Sequence, residues 1–295
     1  MQTKSNKRIG VIGNPGAWSS ELLADTIERN TGFRALIELP KLQLDLERDR
    51  VLFGELNLLD LDALIIKKIG RSYAPGHLNR LEMLRFVQQR GVPVFSDPAR
   101  IMGVLSRLSC TVTLKLARIP MPPTLITEDV ERVQAAVRRF GRAVLKPLYS
   151  TKARGMRIIE TGPQADEQIR QYHAEHKVMY VQKLIQLPDR DLGIAFLGGR
   201  YLATYARMGN TESWNTTVRD GGRYEAYQPD AAIIELAARA QAPFGLDFTT
   251  VDVAETPDGP IVFEVSAFGG LRGLKEGCGI DAAQRYLDHV LERIA

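Results

Sequence analysis

Two carboxylates near the C-terminus, Asp252 and Glu264, are the residues whose placement most plainly implies chemistry. They stand in the β-like runs 249–254 and 261–266, joined by Thr256-Pro257-Asp258-Gly259-Pro260. Proline presets one turn dihedral and glycine supplies a positive φ, so this junction predicts a β-hairpin. A turn centred on Asp258 sets residue 252 opposite residue 264, and residue 250 opposite residue 266. Like charges opposed on one sheet face repel, and a cation relieves them. Ser266 joins the face of Glu264 because strand side chains alternate. Such a set of hard oxygen donors suits a divalent ion of the magnesium-with-nucleotide kind. Two solvated carboxylates on an open face, or a register slip that separates them, is the competing reading. The residues alone leave both standing.

Composition sets the outer limits. A chain of 295 residues has room for two compact domains or three small ones. Hydrophobic residues at 44% and charged residues at 25% are those of an ordinary soluble globular protein. No apolar run reaches membrane-spanning length, and the first residues lead into a strand rather than a signal-peptide core. No membrane partner is therefore expected. Cys110 and Cys278 form neither a disulfide framework nor a metal-ligand pattern, which fits a cytoplasmic location. The 39 basic and 35 acidic residues leave a net charge of +4. Arginines interleave with acids, as in Asp189-Arg190-Asp191, unlike the one-sided basic stripe of a nucleic-acid groove. A mild basic bias suits anionic small molecules such as nucleotides.

These chemical residues need a scaffold, and the first hundred positions alternate strand-like and helix-like segments. Strands are expected at 8–13, 33–39, 61–67 and 92–95, with helices at 20–30 (capped by Ser19 or Ser20) and 77–90. That alternation implies a doubly wound parallel α/β layer. The glycines at 10, 13 and 16 do not match a dinucleotide fingerprint and read as a strand-to-helix turn. Three prolines at 120, 122 and 123 mark a stiff crossing. Beyond it come a helix at 128–140, a strand at 143–148, a polar loop at 149–156 and a strand at 157–159. A helix at 165–175 and a strand at 178–185 complete a small α+β block. Antiparallel β structure follows from 191, with helices at 231–242 and 281–294.

In combination these stretches resemble the ATP-grasp superfamily and, within it, the RimK-like carboxylate-amine ligases. The likeness covers most of the chain. It is carried by Val144-Leu145-Lys146-Pro147, Val181-Gln182-Lys183-Leu184-Ile185, Val251-Asp252-Val253, and the run from Phe263-Glu264-Val265 through Gly270-Leu271-Arg272-Gly273-Leu274 to Gly279-Ile280-Asp281. Each motif alone is weak; their order and spacing together are specific. The resemblance implies a pre-ATP-grasp α/β domain over 1–105, an ATP-grasp lid subdomain over 106–188, and a C-terminal subdomain over 189–295 that carries the metal. ATP and Mg would be the cofactors, with a small-molecule or peptide carboxylate and an amine acceptor as partners. Homo-oligomers are common in such a family, although no seam is identifiable in this chain.

Residue by residue, the resemblance implies that Lys146 reaches the ATP phosphates; read alone, it is an edge-strand lysine that snorkels. Gln182, Lys183, Leu184 and Ile185 would form the hinge whose main chain reads adenine, and Asp191 would lie near the ribose. Arg207 would contact the transferred phosphoryl group; read alone, it is a surface salt bridge. Asp252, Glu264 and Ser266 take the metal positions. Departures accompany these matches. Arg107 stands where relatives have a phosphate-contacting lysine, and Ser266 replaces an asparagine. Gly155 is the one glycine of the 149–156 loop, which also carries Lys152 and Arg154. Gly193, Asn215, Thr217, Asp220 and Arg272 alter the acceptor side. The nucleotide chemistry is thus mostly retained while the acceptor pocket is rebuilt. The expected activity is an ATP- and Mg-dependent ligase working through an acyl phosphate. An ATP-grasp-type kinase and a non-catalytic nucleotide-binding protein are the alternatives. His173 and His176 lack a third strong ligand and read as a solvated helix end.

Overall fold

The computed structural model describes residues 5–70, 73–151, 153–187, 190–209 and 223–295. The first layer runs β1 (Ile9–Ile12), α1 (Trp18–Thr31), β2 (Ala35–Ile37), β3 (Gln43–Asp45), β4 (Arg50–Phe53), β5 (Leu56–Asn57), β6 (Ala63–Ile66), α2 (Gly76–Gln89) and β7 (Val94–Phe95). Its main sheet is parallel, in the order β2-β1-β6-β7. β1 and β6 are buried throughout, as strands covered on both faces must be, which is why they read as unbroken apolar runs.

Local chemistry shifts several boundaries. α1 begins at Trp18 after an Ala17 cap, so neither Ser19 nor Ser20 caps it. The Ser20 hydroxyl instead accepts the Asn14 amide at 3.2 Å, and Glu21 accepts the Gly16 amide at 2.7 Å. Both bonds tie down the loop after β1. The strand expected at 33–39 is cut to Ala35–Ile37, because Pro40 enters a 3₁₀ turn at Leu39–Lys41. The small antiparallel sheet β3-β4-β5 was not foreseen; its strands are too short to show a period.

The next block contains α3 (Pro98–Leu105), α4 (Arg107–Leu116), β8 (Thr124–Thr127), α5 (Val130–Phe140), β9 (Arg142–Lys146), β10 (Arg157–Glu160), α6 (Ala165–Glu175) and β11 (Met179–Lys183). Four strands form an antiparallel sheet in the order β10-β9-β11-β8. It has a core of its own, in which Val133 and Val137 of α5 and Ile169 and Tyr172 of α6 cover Leu145 and Val181. α5 is the cleanest helix to derive: Asp129 caps it by accepting the amides of Glu131 and Arg132. Gly141 ends it at a positive φ of 73°.

The third block comprises β12 (Arg190–Leu197), β13 (Arg200–Met208), β14 (Arg223–Ala226), α7 (Ala231–Gln241), β15 (Phe248–Ala254), β16 (Ile261–Ser266), α8 (Leu271–Cys278) and α9 (Ala282–Arg293). Its antiparallel sheet is ordered β14-β13-β12-β15-β16. Leu192, Ile194, Val251 and Val253 point to one face and pack with Leu236 and Ala237 of α7. The opposite face carries Asp191, Gly193, Tyr205, Arg207, Asp252 and Glu264, and α8 lies against it. This fold is mixed α/β and α+β, as expected. No helix among the described residues is long and apolar enough to cross a membrane.

Candidate active site

The hairpin delivers the two acids as the turn chemistry foretells. Asp252 pairs with Glu264 and Thr250 with Ser266. The detail is less simple, because Val253 pairs with Val262, and Phe263 is the extra residue of a β-bulge. Without that bulge the inner register would set Phe263, not Glu264, opposite Asp252. The Thr256–Gly259 turn is closed by bonds in both directions between those two residues, at 2.9 and 3.3 Å. Gly259 supplies the positive φ, 106°.

Next to this pair, β12 and β13 contribute a charged couple. Asp191 faces Arg207 in the strand register and is only 6% exposed. Arg207 Nε donates to Asp191 Oδ1 at 3.0 Å, and its terminal nitrogen reaches Asp191 Oδ2 as well, a bidentate pairing. The same guanidinium reaches Asp252 Oδ1 at 3.0 Å. The sequence alternative for Arg207, a surface salt bridge, is overturned by this burial among acids. Burial pushes the Asp252 carboxyl well above the usual carboxylate range; Arg207 pulls it down, while Glu264 and Asp191 push it further up. Two acids, Asp191 and Asp252, thus share one arginine here.

On β9 and α4 the balance reverses. Lys146, the last residue of β9, donates to the neutral Oε1 of Gln182 at 2.5 Å, and its ammonium lies 5.5 Å from the Phe263 ring centre. Burial drives the Lys146 amine down to about 7, helped by nearby Arg107 and opposed by Glu264. Gln182, 3% exposed, is itself oriented by donating to Thr124 Oγ1 at 3.0 Å and to the Tyr180 hydroxyl at 3.2 Å. Arg107 opens α4, where a helix N-terminus disfavours a cation. It is held there by Pro147 O and Ser150 Oγ, each at 3.2 Å, and by Glu264 Oε2 at 3.3 Å. One arginine therefore joins the loop after β9 to Glu264 on β16. The sequence suggested Arg107 as a phosphate contact; its bond to Glu264, 157 positions away, was not legible.

The expected hinge is only partly available to a ligand. Lys183 donates its amide to Pro123 O at 2.9 Å, and Leu184 donates to Arg142 O at 3.0 Å. Of the four hinge residues, Ile185 lies past the end of β11. Tyr205 went unnoticed in the sequence. It is buried on the acid face beside Gly193, and a Cβ at 193 would fall inside its ring. Gly270, Gly273 and Gly277 of the α8 region also abut this tyrosine. The glycines at 193, 270, 273 and 277 were its sequence signal. α8 itself, absent from the sequence expectation, forms here because these glycines let a helix seat over the ring. His173 and His176 gain no ligand partner: among the described residues no three His, Cys, Asp or Glu side chains form a metal-holding group. Lys152, Trp214, Asn215, Thr217, Arg219 and Asp220 lie outside the described residues.

The profile of the RimK-like ATP-grasp domain matches residues 101–290. The chain belongs to the RimK-like ATP-grasp family. By family it is a carboxylate-amine ligase. The tetrahydromethanopterin:alpha-L-glutamate ligase of Methanosarcina acetivorans is 25% identical over 319 residues, spanning 96% of this chain and 98% of that protein. Its namesake from Methanococcus maripaludis is likewise 25% identical, with the same coverage of both chains. The fold is similar to that of a RimK domain ATP-grasp protein from Sphaerobacter thermophilus, with TM-score 0.73 and 23% identity over 96% of this chain and 99% of that one. The ATP-grasp ligase PsnB, solved with minimal precursor, Mg and ADP, superposes with TM-score 0.74 at 17% identity, all of both chains being covered.

Proposed function

We propose that this RimK-like enzyme activates a carboxylate with ATP as an acyl phosphate and passes the acyl group to an amine, with Mg held by Asp252 and Glu264. The observation that carries this reading is the directly opposed acid pair, with Arg207 on Asp252 and Arg107 on Glu264, and Lys146 close to both Arg107 and Glu264. The donor set fits magnesium. Two carboxylates and a hydroxyl are too few for an all-protein cage, but they suit an ion that keeps water and phosphate oxygens. The Asp252 carboxyl is raised first by burial and then by Glu264 and Asp191, against the pull of Arg207, so a cation there would favour its charged form. When bound, magnesium neutralises phosphate charge.

The chain's own residues do the rest. Lys146, hydrogen-bonded to the neutral amide of Gln182, offers its ammonium to the phosphates as a point charge. Arg207, aligned by Asp191 and Asp252, presents a fixed guanidinium to the phosphoryl group in transfer, where preorganised charge acts without reorganisation. Asp191 therefore serves Arg207 first, whatever it contributes near a ribose. Adenine would be read at the end of β11 by Ile185 and by main-chain carbonyls, since the amides of Lys183 and Leu184 are committed to neighbouring strands. Ser266, on the Glu264 face, completes the oxygen donors. No side-chain nucleophile is required. The names of relatives suggest glutamate as one substrate to try, and rebuilt positions such as Arg272 argue for a wide panel.

Hydroxylamine tests the reaction class, because it intercepts acyl phosphates as hydroxamates. The protein, with ATP, Mg and each member of a carboxylate panel, should release ADP and form the hydroxamate of its own substrate. A stable phosphorylated product without hydroxamate would instead make the enzyme a kinase.

A further inference from the structure

The described residues include one buried cation that the proposed chemistry leaves unused. Lys67 follows β6 at the carboxyl edge of the parallel sheet and is 3% exposed. Its own backbone is anchored, with the amide donated to Ile12 O at 2.9 Å. Its ammonium crosses to the third block and bonds the main-chain carbonyls of Phe268 and Gly269, the latter at 3.3 Å. Those carbonyls belong to the turn that leaves β16 just after Ser266 and enters α8. The turn is held from the other side too. Gly269 has a φ of 58°, and a Cβ there would lie 2.6 Å from the Phe248 ring.

A buried lysine whose ammonium is bonded to carbonyls alone among the described residues is an expensive way to join two layers. Burial, with Lys68 adjacent, drives its amine down to about 7. A methionine would fill the same space with no ammonium to desolvate. What methionine lacks is a pair of donors that turn two successive carbonyls toward one point, fixing the peptide planes that follow Ser266.

We infer that Lys67 is a positioning residue: it reaches from the N-terminal layer to lock the 267–270 turn, and so holds Ser266 and Glu264 in their ligand geometry. The inference rests on the reading of Asp252, Glu264 and Ser266 as the metal-holding set. Residues that orient ligands from behind typically govern metal affinity rather than nucleotide affinity.

The test is a Mn²⁺ titration followed by electron paramagnetic resonance, on the full chain saturated with a non-hydrolysable ATP analogue. Metal-free affinity for the analogue is measured separately by calorimetry. Lys67→Met should weaken Mn²⁺ binding about tenfold while metal-free analogue affinity stays within about twofold. Lys67→Arg, which keeps the donors, should recover most of the loss. Lys67→Gln, able to serve one carbonyl, should fall between, and it replaces Lys67→Met if that variant does not fold. Wild-type Mn²⁺ affinity in Lys67→Met or Lys67→Gln overturns the inference. So does an equal loss of metal and metal-free nucleotide binding, which marks a merely structural tie. Glu264→Ala is run alongside: if it binds Mn²⁺ as wild type does, the metal reading itself has failed, independently of Lys67.

Discussion

The sheet β10-β9-β11-β8 and the C-terminal sheet hold their charges in opposite ways. On the first, half-buried Lys146 rests against a neutral amide, with Arg107 nearby, so cationic charge is in excess. On the C-terminal sheet Asp191 and Asp252 share Arg207, and Glu264 stands opposite Asp252, so anionic charge is in excess. Each half alone is electrostatically unfinished. In the proposed reading a magnesium–nucleotide complex would present phosphate to the first and a cation to the second. Arg107, bonded both to the loop after β9 and to Glu264, is the one direct ion pair between the halves among the described residues of the site.

That contrast can be broken from either side. The largest effect is expected at the acid pole: Glu264→Ala should reduce turnover about a hundredfold or more while the chain still unfolds cooperatively, as measured by ADP release and circular dichroism. Next comes the guanidinium between the poles. Arg207→Gln should lower kcat about 10²–10³-fold and leave the KM for ATP little changed, since its charge is aimed at the group in transfer. At the cationic pole, Lys146→Met should weaken ATP binding about tenfold, the scale of one charge-assisted contact. Lys146 also has a pH signature. Its amine titrates near 7 in the free protein, and phosphate restores its preference for the charged form. Binding between about pH 7 and 9 should therefore take up protons, which calorimetry in buffers of different ionisation enthalpy will detect, and Lys146→Met should abolish most of the uptake. The smallest effect is expected at the floor beneath the acids. Gly193→Ala forces a Cβ into Tyr205 and should cost about 1–3 kcal/mol of stability, seen as a lower melting temperature with nucleotide affinity kept.

The acid pole was far more legible in the sequence than the cationic one, and the reason is range. Asp252 and Glu264 are twelve positions apart across a turn whose residues declare a hairpin, so local chemistry brings them close in one hairpin. Even there, the bulge at Phe263 is a tertiary feature that turn chemistry does not announce. Arg207 and Asp191 meet through a second hairpin whose register depends on a further irregularity at Ala195 and Phe196. The cationic pole is assembled from the start of α4, the end of β9 and the end of β11, and no local pattern couples them. β8 and α8 were missed for a related reason. β8 directly follows a proline run that reads as linker, and α8 is rich in glycines that favour helix only once Tyr205 is beneath them. Family resemblance supplied the roles of Lys146 and Arg207; the structure supplied their partners.

The central claim, that magnesium joins the two poles through a nucleotide, is tested most directly by calorimetric titration of ATP with and without Mg²⁺. The wild type is compared with the Asp252→Asn, Glu264→Gln double variant. Magnesium should strengthen wild-type binding about tenfold or more, and the double variant should lose that gain while retaining the metal-free affinity set by Lys146. Equal ATP affinity with and without magnesium in the wild type, or a magnesium gain that survives in the double variant, would contradict the account.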